Sequence, residues 1–179
     1  MKKLLWSLFE IAETIVIAVA AVFVVRSFIA QPFLVSGSSM EPTFSNGNYL
    51  LVDELTYRFR EQERGEVVVF RYPQDTSSYF IKRIIGLPGE AVEVKNGQVD
   101  ILKNGVSQVL REPYVLQRAA TADFSKTLGS DEYFVMGDNR SFSFDSRSWG
   151  PLPKDDVVGM VRFRLWPVSE AMAFTPPSY

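Results

Sequence analysis

The chain of 179 residues contains no histidine and no cysteine. Each absence removes a class of chemistry. Without histidine, a serine nucleophile has no imidazole to take its proton. Its base must be a lysine, a carboxylate or a terminal amine. Without cysteine there are no disulfides, no thiol nucleophile and no thiolate metal site. With both missing, carboxylates alone remain as ligands, and these suit harder ions than the transition metals. No metal and no cofactor is expected. Excess charge is also lacking: 19 Lys and Arg against 21 Asp and Glu leave a net charge of −2. No basic run and no interleaving of basic and aromatic residues occurs, so nucleic acid is not an expected partner. Internal repeats are absent too.

What is present begins with an apolar stretch. Lys2 and Lys3 precede a run that reaches Ala30, with Glu10 and Glu13 one turn apart near its basic end. The uncharged part, Thr14 to Val25, is too short to cross about 30 Å of hydrocarbon alone. Extension to Ala30 takes in Arg26, whose long stem lets its charge reach an interface. Pro32 is expected to stop the helix. Three readings are open: a permanent single span over about 9–30, a cleaved secretory signal, and an interfacial amphipathic helix. A cleaved signal would exit near Ala30 with bulky Phe28 three residues before the cut, a poor fit to a small-x-small site. The leading lysines favour an N-terminus inside and the remainder outside.

From residue 33 onward no long 3.6-residue periodicity occurs, and short strands are expected instead. They cover Tyr49–Val52, Glu66–Arg71, Tyr79–Ile85, Ala91–Val94, Gln98–Leu102, Glu132–Met136 and Val157–Leu165. Asn96-Gly97 and Asn104-Gly105 are hairpin signals. The expected fold is mainly β, an antiparallel sheet domain over 32–179 following an anchor over 1–31. A more polar, variable excursion is expected near 105–130. Fourteen Phe and three Trp imply a rich core or surfaces that meet lipid, with Trp149, Trp166 and Phe174 as candidates for the latter.

Three segments carry possible chemistry. Ser36-Gly37-Ser38-Ser39-Met40-Glu41-Pro42-Thr43 is a glycine–serine turn that can aim backbone N–H groups at an oxyanion, although most such turns are only turns. In Tyr79–Glu90, strand alternation puts Phe80, Lys82 and Ile84 on one face and Ile81, Arg83 and Ile85 on the other. Burial of Lys82 among apolar neighbours would favour its neutral form, a usable general base. The plainer alternative is an edge lysine whose head reaches water. Met136–Gly150 is a polar loop. Within it Asp145 and Arg147 can brace one another, and Asp138 can pair with Arg83. It reads equally as a solvated loop.

Together these segments resemble bacterial type I signal peptidases, membrane-bound Ser/Lys proteases that remove signal peptides from exported proteins. Ser36–Thr43 is similar to the nucleophile box, Arg64–Phe70 to the strand box after it, Phe80–Glu90 to the lysine box, and Gly137–Arg147 to the last box. The order is right and nearly the whole chain is covered. The resemblance implies Ser39 as acylated nucleophile and Lys82 as unprotonated base. It implies Ser143 as the serine that orients the amine, with Asp138, Asp145, Arg147 and Arg83 as polar support. The backbone N–H groups of Ser39 and Gly37 are the implied oxyanion donors; some members place a serine hydroxyl where this chain has Gly37. Shallow pockets built by Phe33, Val35, Met40, Phe80 and Ile81 are implied to select small residues at the first and third positions before the cut.

The implied partners are signal-bearing preproteins, membrane lipid and the export machinery. The implied location is the bacterial inner membrane, with a cytoplasmic N-terminus. Two other classes remain open: a specialised Ser/Lys processing peptidase, and an inactive membrane-tethered adaptor. An intact Ser39, Lys82 and Ser143 set discriminates against the adaptor.

Overall fold

A computed structural model describes residues 2–28, 30–116 and 123–179. Helix α1 spans Lys2–Phe28 and its 27 residues extend about 40 Å. The side chains of Trp6–Phe23 are unburied and long enough in sequence to cross a bilayer.

Strand β1, Ala30–Leu34, follows at once. Pro32 therefore does not stop the helix, which has already ended at Phe28; it sits mid-strand opposite Leu51. The reason is position in the sheet. β1 is an edge strand, and there a missing N–H need not cost a ladder bond.

The remaining strands are β2 Tyr49–Asp53, β3 Val67–Tyr72, β4 Asp75–Gly86, β5 Ala91–Lys95, β6 Gln98–Lys103, β7 Val106–Val109, β8 Phe124–Thr127, β9 Glu132–Met136, β10 Leu152–Pro153, β11 Val157–Trp166 and β12 Met172–Ala173. Among the described residues they form two antiparallel sheets. One runs β1-β2-β11-β3-β4-β9-β10 with β12 added beside β11, and the other runs β7-β6-β5-β8.

The core explains why β3 reads as an unbroken apolar run. Val67 and Val69 enter one cluster with Val35, Met40, Phe44, Leu50 and Val52. Val68 and Phe70 enter another, on the opposite face, with Ile84, Tyr133 and Val135. A central strand buried on both faces needs no polar alternation. β4 lies beside it with Val68 opposite Lys82 and Val67 opposite Arg83.

The polar excursion near 105–130 contains regular structure. Its flanks are strands β7 and β8 of the smaller sheet. Leu110 and Leu128 are buried in that sheet's core with Val92, Val94, Val99 and Ile101. Short strands with mostly exposed side chains lack the apolar alternation that marks a strand in sequence. Residues 117–122 of this excursion lie outside the described residues. The Asn96-Gly97 and Asn104-Gly105 turns have positive φ at both residues, as a two-residue hairpin of the expected hand requires.

Candidate active site

Ser39 stands on a turn between β1 and β2. Met40 and Phe44 are buried beneath it and joined by a Phe44 N–H to Met40 carbonyl bond of 2.9 Å. These two apolar anchors hold the turn down while Ser39 stays partly accessible. Loop 137–145, after β9, grips the turn from outside. The Asn139 backbone N–H donates to the Ser39 carbonyl at 3.1 Å, and its side-chain amide donates to the Ser38 carbonyl at 3.1 Å. Gly137 packs so closely that a Cβ there would lie 2.4 Å from the Ser39 carbonyl oxygen and 2.3 Å from Ser143 Oγ.

Lys82 reaches this turn from β4. Its Nζ lies 2.8 Å from Ser39 Oγ and donates to the Ile81 carbonyl at 2.9 Å. Only 5% of the residue is exposed. Burial drives its pKa down to about 8, against the opposing pull of Asp145 and Asp138. Two effects of opposite sign therefore meet on one amine. Desolvation raises the neutral fraction near neutral pH to roughly a tenth, far above that of an ordinary lysine, and the two carboxylates favour the ammonium once a proton arrives.

Those carboxylates are themselves fixed. Asp138 accepts from Arg83 Nε at 2.8 Å and Nη2 at 2.6 Å, with both residues almost fully buried. Thr43 also donates to Asp138, and Arg83 Nη1 donates to the Gly65 carbonyl at 2.7 Å. Asp145 accepts from Arg147 Nε at 2.8 Å and Nη2 at 2.7 Å, from the Gly137 N–H at 3.0 Å, and from Ser143 Oγ at 2.6 Å. Burial alone would raise the Asp145 pKa. The Arg147 bonds and charge, with Ser143 and Gly137, outweigh it and hold the carboxyl below its usual range. Buried pairs of this kind add little net stability, but loss of one partner strands the other's charge.

A cleft of about 440 Å³ opens beside Ser39 and Lys82. Phe33, Val35, Gly37, Ser39, Phe80, Ile81 and Lys82 line it, joined by Leu34, Leu50, Val69, Tyr79, Phe142 and Phe144. Its floor is apolar and closed, since Val35, Leu50 and Val69 are buried.

A signal peptidase model, peptidase S26, matches residues 8–166. The chain belongs to this family. It is 39% identical to a probable signal peptidase I-2 of Synechocystis sp. over 89% of this chain and 73% of that one. It is 34% identical to a signal peptidase I of Leptolyngbya laminosa over 95% and 85%, and 35% identical to signal peptidase IB of Staphylococcus aureus over 95% and 94%. A solved signal peptidase I of Enterococcus faecalis overlays with a TM-score of 0.48 at 33% identity, covering 56% of this chain and 97% of its own. The sequence relatives, not that overlay, carry the assignment. By family the chain is thus an enzyme, a serine peptidase.

Three expected site residues of the peptidase stand elsewhere than the sequence implied. Met40 does not line the cleft. It is 1% exposed and anchors the turn from below. The Gly37 N–H is already given to Asn46 Oδ1 at 3.0 Å, so it is not a free oxyanion donor. The Ser39 N–H has no protein partner among the described residues, which leaves it available. Ser143 does not hydrogen-bond Lys82: its hydroxyl goes to Asp145, and the amine is oriented by the Ile81 carbonyl instead.

Sequence reasoning also missed several contributors. Asn139 and Gly137 act through backbone contacts that no composition reveals. Arg140 is buried, donates to the Gly137 carbonyl at 3.1 Å, and is paired with Glu112 from the chain after β7. An arginine within a polar loop gives no sign of its distant partner. Among the described residues no cluster of metal-ligating side chains occurs.

Proposed function

We propose that this chain removes N-terminal signal peptides from exported preproteins by acyl transfer through Ser39, with Lys82 as base. The observation that carries the reading is a buried lysine amine 2.8 Å from a serine hydroxyl at the edge of an apolar cleft. Neutral Lys82 spends one N–H on the Ile81 carbonyl, which turns its lone pair toward Ser39. Ser39 Oγ attacks the scissile carbonyl carbon as its proton passes to Lys82 Nζ. The oxyanion takes the Ser39 N–H. Collapse breaks the C–N bond, and Lys82 returns the proton to the leaving amine. Water then attacks the acyl ester, with its proton taken by Lys82 and delivered to Ser39 Oγ. Asp145 and Asp138 stabilise the ammonium formed in each half-reaction.

The apolar floor and the aromatic walls of Phe33 and Phe80 suit small side chains at the first and third positions before the cut. An extended peptide fits beside β4 with main-chain hydrogen bonds. In this reading helix α1 is the anchor, and the lysines at its start favour a catalytic domain on the extracytoplasmic side. Of the three candidates for lipid contact, Trp166 is 55% exposed, while Trp149 and Phe174 pack against the core. Trp166 is accordingly the membrane-facing residue of this reading.

The test is mass spectrometry of a signal-bearing peptide incubated with detergent-solubilised protein. One cut after a small-x-small site is expected; an uncut peptide would favour an adaptor. Protease shaving of spheroplasts that spares the domain would refute the orientation.

A further inference from the structure

A second cleft of about 440 Å³ is lined by residues that follow the nucleophile, Glu41, Pro42 and Ser45, and by Leu116 and the 138–142 loop. Phe142 is the residue common to both clefts. The charges in this cleft are not alike. Asp138 is neutralised by Arg83, and Arg140 by Glu112. The Glu41 carboxylate has no hydrogen-bond or ion-pair partner among the described residues. Among the described residues the second cleft therefore carries one uncompensated negative charge. Beside it stand two exposed apolar side chains, Leu116 at 76% and Phe142 at 74%.

Acyl transfer divides the substrate at Ser39. The part before the cut stays esterified in the first cleft, so the part after it must lie on a different surface. We propose that the second cleft receives the first residues after the scissile bond and that Glu41 selects a basic side chain there. This rests on the peptidase reading above. A lysine or arginine matches both features of the cleft: its aliphatic stem covers Leu116 and Phe142, and its charged head meets the carboxylate. The contact is partly exposed, so its effect is modest and screened by salt.

The experiment uses the full chain in detergent and three peptides that share one small-x-small site. They differ only at the second residue after the cut, which is Lys, Ala or Glu. Expected kcat/KM falls in that order, by roughly threefold per step, the scale of a partly exposed ion pair. The spread narrows in high salt. In Glu41→Gln the Lys-to-Glu ratio collapses toward one, and in Glu41→Lys the order inverts. Equal rates for the three peptides with the unaltered protein would overturn the assignment while leaving the peptidase reading intact. So would a preference that persists in Glu41→Gln. Failure to cut even the Ala peptide would reject the peptidase reading and this assignment with it.

Discussion

Ser39→Ala and Lys82→Met are each expected to lower kcat/KM on a small-x-small peptide by roughly 10⁴-fold or more, the scale seen when a nucleophile or its base is removed. The two losses arise from one event. The hydroxyl is a poor nucleophile until its proton leaves, and the amine 2.8 Å away is the group placed to take it. The double variant is therefore expected to be no worse than either single one, because groups that act as a unit are not additive. Methionine is the informative replacement at Lys82. Alanine would leave a cavity next to Phe80 and Val68, whereas methionine keeps most of the apolar volume and removes only the base. Circular dichroism and thermal melting of the variants separate lost chemistry from lost fold. Activity within tenfold of the unaltered protein in either variant would refute the dyad.

Gly137→Ala is expected to cost about 100-fold in kcat, with a smaller change in KM, although the residue touches no substrate. The added methyl would press on the Ser39 carbonyl oxygen at 2.4 Å and on Ser143 Oγ at 2.3 Å. Neither neighbour yields easily. The Ser39 carbonyl is held by the Asn139 N–H, and Ser143 by Asp145. The overlap must then move the nucleophile turn or loop 137–145, and a displacement of this size misaligns attack. Overpacking also lowers stability, by about 1–3 kcal/mol. Steady-state kinetics with a melt on the same sample measures both effects. A variant with unaltered kcat would show that the close approach of the two loops does not set the geometry of Ser39.

The features legible in the sequence were the local ones. Alternation in Tyr79–Ile85 put Lys82 on an apolar face, and the structure has Phe80 and Ile84 in one cluster with Ile81 and Ile85 in others. The paired Asn-Gly turns fixed a hairpin because few other residues tolerate positive φ twice in succession. The features missed depend on distant neighbours. Pro32 reads as a helix stop unless the strand that contains it is known to be an edge. Met40 follows Ser39 and reads as a pocket wall, yet only the packing of Phe44 and Val52 reveals it as an anchor. Gly37 offers a backbone donor in sequence, and Asn46, nine residues later, takes it. Ser143 stands two residues from Asp145, a spacing that allows the bond it makes, but sequence does not rank that partner above Lys82.

In the proposed mechanism, burial is what makes Lys82 a base. The most direct measurement is the pH dependence of kcat/KM on a peptide with no ionisable group near the cut. Burial lowers the amine to about 8 from an ordinary 10.5, and the neutral form is the active one. The rate is therefore expected to rise about tenfold per pH unit below that value and to level off above it. A profile that is flat from pH 6 to 9, or that keeps rising toward 10.5, would contradict the account.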